Sequence, residues 1–506
     1  MFSKIKQYSP KRNKFDLTHE RKMSMNMGNL VPVLVQEVLP GDSIRCNTEL
    51  LIRFAPMLAP VMHRINVYTH FFFVPNRLVW SEWENFITGG VSGTDAPVSP
   101  YVMAPVSLQT GQMGLGSLAD YMGLPVTSAY SSANVQKISA IPFRAYQQIY
   151  NDYYRDQNLS QPVPITKNSG EITILNVAEI NATFNIRQRA WEKDYFTSAL
   201  PTAQRGGAVA VPVQNSTTAS NVIKNTDGTP VADGALSSLG GILSPTGGGY
   251  ARIDNNESTL INDLRKANAL QRFLEKMNLG GSRYVEQMLT MFGVRSSDQR
   301  LQRAEYLGGG RSPVVISEVL SNFQFSGDAE GLPQGNMAGH GISASSDHGF
   351  SRSFEEHGYV IGIMSVLPKP SYQQSLPKHF QRFDKFDYAW PDFAHLGEQE
   401  VKTKELYWDP SAPQPNVEST FGYQSRYADY KYQASTVHGD MRENLAFWGM
   451  QRIFASEPAL NESFVTSDPT TRIFAVTDPT LHHLYIQLVN NVSALRALPY
   501  YGTPSL

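Results

Sequence analysis

The sequence contains strand-length runs of β-branched and aromatic residues that are separated by long, irregular stretches. The clearest run is Ile65–Val74, and it stops at Pro75, which cannot donate a hydrogen bond to a neighbouring strand. Wide, uneven spacing of such runs predicts a mainly β sandwich with elaborate loops rather than a compact up-and-down barrel. Similar runs lie at 30–39, 44–54, 313–320, 359–367, 421–433 and 481–489.

Few helices are predicted, and two of them are clear. Pro142 occupies a first helical position, and Phe143, Tyr146 and Ile149 follow at helical spacing. A second helix is predicted to begin near Ser258 and to end at the glycine pair 280–281. Both apolar stripes favour packing against a core over a ligand groove.

Residues 203–257 are a compositional break, rich in Gly, Ser, Thr, Asn, Ala and Val. Few side chains there could build a core, so we predict one domain formed by residues 26–202 and 258–506, interrupted by a low-complexity insertion. Long exposed insertions on a rigid scaffold are typical sites of partner contact. An inert flexible loop has the same composition.

Charge is sparse and nearly balanced. Charged residues make up 17% of the chain and the net charge is −2, which argues against a dedicated nucleic-acid-binding domain. A low content of charged residues is expected where much of the surface becomes buried between subunits, because interface cores are depleted in Lys, Glu and Asp. A loop surface rich in Ser, Thr and Asn without any partner would look the same.

The N-terminus departs from this balance. Residues 1–25 form a predicted basic arm, in which the first 22 residues hold seven Lys or Arg against Asp16 and Glu20, a net charge of +5. A basic arm can bind DNA phosphates, or it can be a solvated terminus. The DNA-facing candidates in it are Lys4, Lys6, Lys11, Arg12 and Lys14.

Motifs for catalysis are absent from the sequence. It contains no phosphate-binding Gly-x-x-x-x-Gly-Lys-Ser/Thr loop, no Gly-x-Ser-x-Gly elbow and no His-Glu-x-x-His helix. The single cysteine, Cys46, excludes an intrachain disulfide and fits a reducing compartment. The sequence contains no run of 18 apolar residues, so no membrane-spanning helix is predicted. We therefore predict a protein that is not an enzyme and is made in the cytosol.

No cofactor is predicted, and a structural divalent cation is left open. The densest group of metal-ligand types is His340, His348 and His357 with nearby acidic residues, in a Gly- and Ser-rich stretch that we interpret as a mobile loop. Histidines scattered in such a loop are usually solvated. The pair His482 and His483 is expected to point to opposite faces of a strand and so cannot share one ion.

Two segments, 378–386 and 421–432, interleave basic and aromatic residues. Such mixtures hold single-stranded DNA through base stacking and phosphate contacts, and Arg426, Tyr427 and Lys431 are the candidates for that role. Tyr and Arg also anchor protein interfaces. The interface or core interpretation is favoured, because Asp384, Asp387 and Asp392 nearly cancel the positive charge of the basic residues in the first segment.

Several sequence blocks resemble the major capsid proteins of microviruses, specifically the gokushovirus branch. The resemblance extends over nearly the whole chain, and the blocks that carry it are 71–80 (FFFVPNRLVW), 263–267 (DLRKA), 280–284 (GGSRY), 300–310 (RLQRAEYLGGG) and 395–400 (HLGEQE). The resemblance implies an eight-stranded antiparallel jelly roll of the viral capsid type with long loop insertions. It also implies a T=1 icosahedral shell of sixty copies around circular single-stranded DNA.

The resemblance further implies partners and sites. Partners would be other copies of the chain, a small basic DNA-binding protein, a pilot protein, an internal scaffolding protein and a host cell-surface receptor. The location would be the virion, assembled in the host bacterial cytoplasm. Residues 203–257 would form a protrusion at the threefold axes, with host-contact candidates Asn215, Asn221, Asn225 and Asp227. Inter-subunit candidates are Arg300, Arg303, Glu305 and Tyr306, and Arg303→Glu is expected to leave soluble chains but few particles.

Charge accounting supports a separate DNA-binding partner. Encoding 506 residues takes about 1500 nucleotides, each with one negative phosphate charge, whereas sixty arms at +5 supply only about 300 positive charges.

Two other classes of function remain open. One is a jelly-roll carbohydrate-binding or host-attachment module that forms small oligomers, against which the basic arm argues. The other is a cupin-type metal enzyme, disfavoured because no two histidines are spaced as His-x-His.

Overall fold

The computed structural model describes residues 11–501, except for 105–107, 109, 127–134, 174, 208, 210–260, 282, 296, 321–336, 412, 414–415, 477 and 479. The chain divides into a large unit, 1–203 with 280–506, and a small unit, 204–279. The predicted insertion, 203–257, lies almost wholly in the small unit and mostly outside the described residues.

Two antiparallel sheets dominate the large unit. The first sheet contains β1 (Asn13–Asp16), β2 (His19–Met25), β4 (Ser43–Phe54), β9 (Val315–Leu320), β10 (Met337–Ser353) and β14 (Leu484–Arg496). The second sheet contains β3 (Val31–Val38), β5 (Ile65–Pro75), β8 (Glu305–Pro313) and β11 (Gly358–Pro368). Two small hairpins pair β6 (Tyr101–Ala104) with β7 (Gln136–Ser139), and β12 (Glu398–Lys402) with β13 (Thr420–Ser425).

Eight of these strands have the order of a jelly roll. The first sheet runs β2-β14-β4-β10 and the second runs β3-β11-β5-β8, so strands that are neighbours in sequence mostly lie in opposite sheets. β1 continues the edge made by β2, and β9 extends the other edge. The predicted mainly β, capsid-type jelly roll is confirmed.

Burial follows from strand patterning. β4 alternates without interruption between buried and solvent-facing residues, as expected for a strand with one covered face. β5 is buried on both faces, apart from His70. The sandwich core lies between the sheets and includes Leu50, Ile52, Val67 and Val366, with Phe71, Phe73 and Phe350 towards its other end.

Helices cover the outer face of the second sheet. Trp80, Phe143, Tyr146 and Phe184 pack with Phe72 of β5 in one buried cluster. The Tyr146 hydroxyl donates to the carbonyl of Leu30 at 2.8 Å, which fixes the helical layer to the sheet. The helices of the large unit before the insertion are α1 (Asn76–Val79), α2 (Trp83–Thr88), α3 (Thr110–Met113), α4 (Leu118–Met122), α5 (Ile141–Ile149), continued by a π-helical turn (Tyr150–Tyr154), and α6 (Val177–Phe184).

The second predicted helix is also confirmed, as α7 (Ile261–Gly280). It is followed by α8 (Tyr284–Phe292), α9 (Thr403–Leu406), α10 (Ala428–Lys431) and α11 (Glu462–Val465). Short 3-10 turns lie at Lys378–Gln381, Lys385–Asp387, Pro391–Phe393, Gly439–Arg442 and Ala446–Trp448. The strand predicted over 421–433 is wrong beyond residue 425, because the chain turns at Tyr427, which has a positive φ of 60°, and then forms α10.

The Gly- and Ser-rich stretch around His340 and His348 is not a mobile loop. It forms β10, the longest strand in the described residues, which pairs with β4 on one side and β9 on the other. His348 is buried beside β8, and Ser312 lies 3.4 Å from its Nε2. A solvated role for this histidine is therefore excluded.

The predicted N-terminal arm is partly built into the sandwich. Residues 13–16 and 19–25 are strands paired with β14, so roughly the second half of the predicted arm belongs to the first sheet. The C-terminal residues hold this start in place, since the Tyr500 hydroxyl donates to the Lys14 carbonyl at 2.7 Å and the Asn13 amide donates to the Leu498 carbonyl at 2.7 Å. Among the described residues, no helix is long and apolar enough to span a membrane.

Candidate assembly surface

A loop between β11 and β12 exposes an unusual number of large apolar side chains. Phe383 is 90% exposed, and its neighbours in the loop are exposed to lesser degrees. We call the set the aromatic surface: Phe380, Phe383, Phe386, Tyr388, Trp390, Phe393 and Leu396 of this loop, together with Tyr430 and Tyr432. Concentrated exposed apolar area of this kind marks an interaction site, because isolated soluble subunits rarely retain it.

Local hydrogen bonds fix the shape of this loop. The Asp387 carboxylate accepts from the backbone N–H groups of Phe383 and Asp384, both at 2.9 Å. These two bonds lower the pKa of Asp387. The Trp390 indole N–H donates to the Lys385 carbonyl at 2.8 Å. The exposed rings are therefore presented by an ordered backbone, which reduces the entropy lost on contact with a partner.

The loop is also anchored to a buried core. Lys378 pairs with the buried Glu405 at 3.2 Å, and the Tyr195 hydroxyl donates to the same carboxylate at 2.9 Å. Burial raises the pKa of Tyr195, so this hydroxyl keeps its proton as a donor. The cluster behind it includes Phe196, Tyr372, Leu406, Phe421 and Phe464.

Arg382 joins the two segments of mixed basic and aromatic residues, 378–386 and 421–432. Its guanidinium pairs with Asp429 and lies 4.0 Å from the centroid of the Tyr430 ring. Gln399 donates to the other oxygen of Asp429 at 3.0 Å. The segments 378–386 and 421–432 therefore form one surface, whose charged groups are largely satisfied within the subunit and whose rings are exposed.

The predicted DNA-facing residues of the second segment lie at the margin of this surface. Tyr427 accepts a hydrogen bond from the Trp390 backbone N–H at 3.2 Å, and the Arg426 guanidinium lies 5.0 Å from the Tyr427 ring. Lys431 donates to the Arg426 carbonyl at 2.9 Å. All three help hold the aromatic surface together, and DNA contact by them stays a prediction.

The remaining DNA-facing candidates belong to the N-terminus. Lys14 lies on β1 and, like Lys11 and Arg12, is exposed. Lys4 and Lys6 lie outside the described residues, as do the host-contact candidates Asn215, Asn221, Asn225 and Asp227.

The inter-subunit candidates divide into two pairs. Arg303 is only 13% exposed, donates to the Asp152 carbonyl at 3.0 Å and lies 4.4 Å from the Tyr153 ring centroid. Glu305 pairs with Arg352 at 3.5 Å. Arg300 and Tyr306 are exposed, and contact with a neighbouring subunit stays a prediction for them.

Arg303 thus acts inside the subunit. Together with Arg283, whose Nη2 donates to the carbonyls of Asn151 and Arg155 at 3.1 and 2.9 Å, it caps the end of the α5 and π-helical segment. Positive charge at a helix C-terminus is favourable because the unpaired carbonyls carry partial negative charge. We therefore revise the expectation for Arg303→Glu to loss of subunit stability.

Sequence reasoning missed the second half of the aromatic surface. Tyr388, Trp390, Phe393 and Leu396 belong to it, and each is at least 37% exposed. Their density within nine residues is a signal that could have found them. Within the part of the chain that the structure describes, no group of three or more His, Cys, Asp or Glu could hold a metal ion.

A capsid-type jelly roll that carries an ordered, exposed aromatic surface defines a self-associating structural subunit. Comparison with known proteins agrees with this class. The family model described as "Capsid protein (F protein)" matches residues 3–506, and the chain belongs to this family. It is a phage capsid protein, a structural component of the virion and not an enzyme.

Individual relatives support the same assignment. Capsid protein VP1 of Chlamydia phage 1 is 35% identical over 592 residues, and capsid protein VP1 of Bdellovibrio phage phiMH2K is 35% identical over 537 residues. Capsid protein VP1 of Spiroplasma virus 4 is 29% identical over 552 residues. Each alignment covers 100% of this chain and 97% of the relative. The resemblance noted in the sequence is confirmed.

Proposed function

We propose that this capsid protein self-assembles, through the aromatic surface, into a T=1 icosahedral shell of sixty copies. The observation that carries the proposal is the exposure of the Phe383, Trp390 and Tyr430 rings on a backbone held by capping hydrogen bonds. A subunit gains most from burying such rings against another copy, because aromatic residues are the usual anchors of protein interfaces.

Closed symmetry explains how contacts of this size produce a stable shell. Each subunit meets several neighbours around different axes, so every further contact forms at high effective concentration. Individually weak contacts then suffice, and assembly remains reversible until the shell closes. No cofactor is needed for such assembly.

The proposed cargo is a circular single-stranded DNA genome. The exposed basic side chains of Lys11, Arg12 and Lys14 support DNA contact at the N-terminus. Their number falls far short of the charge of a genome, so a small basic DNA-binding protein is part of the proposal. An internal scaffolding protein and a pilot protein for DNA delivery complete the set of partners, with assembly in the host bacterial cytoplasm.

The insertion at 203–257 is proposed to form the host-facing protrusion at the threefold axes. Its composition favours an exposed segment, and Asn215, Asn221, Asn225 and Asp227 supply polar side chains for a receptor. Contact with a host receptor by these residues rests on that composition and on the family resemblance.

Electron microscopy of the chain expressed with its neighbouring genes tests the proposal. Closed shells of uniform size, containing nuclease-protected single-stranded DNA, are expected. Small soluble oligomers under every expression condition would instead indicate a carbohydrate-binding or attachment module. Shells larger than sixty copies would contradict the T=1 assignment while retaining the capsid function.

A further inference from the structure

The outer face of the first sheet differs from that of the second. Helices bury the outer face of the second sheet, whereas residues on the outer face of β4, such as Arg45, Glu49 and Arg53, are exposed. This face is polar, so it is not suited to burial against an apolar protein surface. A ligand of this face would be held by its polar and charged side chains.

Strand register brings polar side chains together at one end of this face. One row across the sheet is Asp16, Ser493, Arg45 and Ser351, and the next is Lys14, Leu495, Ser43 and Ser353. Because side chains two residues apart point to the same face of a strand, both rows project outward. Arg352 and Glu355 complete the lining of a groove of about 670 Å³ at this end.

Two cations in the groove remain available to a ligand. Among the described residues, no hydrogen bond or ion pair engages the side chain of Arg45 or Lys14, although Lys14 interacts electrostatically with the Asp16 carboxylate, whereas Arg352 pairs with Glu305. The groove also contains four serine hydroxyls, two of which, Ser43 and Ser353, lie 2.7 Å apart. Hydroxyls and arginine guanidinium groups are common donors to phosphate oxygens.

The basic N-terminal segment begins at the same groove. β1 places Lys14 in the lining, and the residues that precede it along the chain include Lys11 and Arg12. Asp16 and Glu355 offset part of this charge. The described residues Lys11, Arg12, Lys14 and Arg45 still leave the segment and groove with an excess of positive charge.

We propose that this groove binds the phosphodiester backbone of single-stranded DNA, with Arg45 and Lys14 as the phosphate contacts and the serine hydroxyls as additional donors. The inference deepens the proposed function, since it assigns the outer face of the first sheet to the genome side of the shell. The lining contains no aromatic ring on which a base could stack. Recognition is therefore of the backbone and independent of sequence.

Binding of a fluorescent oligothymidylate to the full-length soluble chain tests the proposal, with the salt dependence measured for each variant. Arg45→Glu is compared with Arg53→Glu, which reverses a charge on the same strand and face about 26 Å away. We expect Arg45→Glu to weaken binding about tenfold and to reduce the salt slope by at least about 1. Arg53→Glu should bind like the unmodified chain.

Two outcomes would overturn the proposal. One is an equal loss of oligothymidylate affinity in Arg45→Glu and Arg53→Glu, which indicates unspecific attraction to the whole face. The other is unchanged affinity in Arg45→Glu. A Ser351→Ala and Ser353→Ala double variant gives a second measure, with a smaller loss expected and an unchanged salt slope, because no charge is removed. Since the measurement uses soluble chains, it is independent of shell formation. Failure of the capsid proposal would appear separately, as absence of particles from the unmodified chain.

Discussion

Gly310 lies so close to His348 that a Cβ at position 310 would stand 2.2 Å from Cδ2 of the imidazole ring. The two preceding glycines are also confined. A Cβ at Gly309 would lie 2.2 Å from the carbonyl oxygen of Thr69, and one at Gly308 would lie 2.7 Å from that of Gly349. The triple glycine is therefore explained by packing of β8 between β5 and β10, without any appeal to an interface between subunits.

Gly310→Ala is expected to destabilise the subunit. The added methyl group must displace a buried ring, and overpacking of this kind costs about 1–3 kcal/mol. Thermal or urea unfolding of the soluble chain measures the effect. Gly207→Ala is a suitable control, because its Cβ would meet nothing within 4 Å, and its stability should match that of the unmodified chain.

Arg303→Glu and Arg300→Glu should have different consequences. Arg303 interacts with Asp298 and with a helix-terminal carbonyl, so reversal of its charge places a carboxylate against both and should cost about 3 kcal/mol. Arg300 is exposed, so its reversal should leave stability within about 0.5 kcal/mol. Denaturant midpoints of both variants check this expectation. Equal stability of the two variants would contradict the capping role of Arg303.

Acid should destabilise the subunit through His70. Burial lowers the pKa of His70 from 6.5 to about 4, with smaller contributions from Arg189 and His348. Its folded-state pKa lies below its unfolded value, so the stability it contributes is fully present above pH 6.5 and is lost as the pH falls towards 4. We expect His70→Gln to show a shallower loss of stability over this window, and His395→Gln, which alters an exposed histidine, to follow the unmodified chain.

Strands with continuous or alternating apolar residues could be predicted from the sequence, as β4, β5 and β11 show. β8 and β10 could not, because glycine and serine have low strand propensity and their conformation is imposed by neighbouring strands. The aromatic surface was visible only as two separate segments. The pair of Arg382 with Asp429 that unites them joins residues far apart in sequence, and no local pattern reports it.

Phe383→Ser should abolish or strongly reduce shell formation while leaving the subunit folded. The Phe383 ring is 90% exposed, so its removal costs the isolated chain little, whereas loss of a buried aromatic anchor typically weakens an interface by about 2 kcal/mol or more. Leu175→Ser is the matched control, since Leu175 is 91% exposed but lies outside the aromatic surface. Particle yield by sedimentation reports assembly, and the unfolding midpoint of the soluble chain reports subunit stability.

Contacts in a closed shell reinforce one another, so the loss of interface free energy at every copy should raise the protein concentration needed for assembly by more than about tenfold. Normal particle yield from Phe383→Ser would show that the aromatic surface is not where copies of this capsid protein meet.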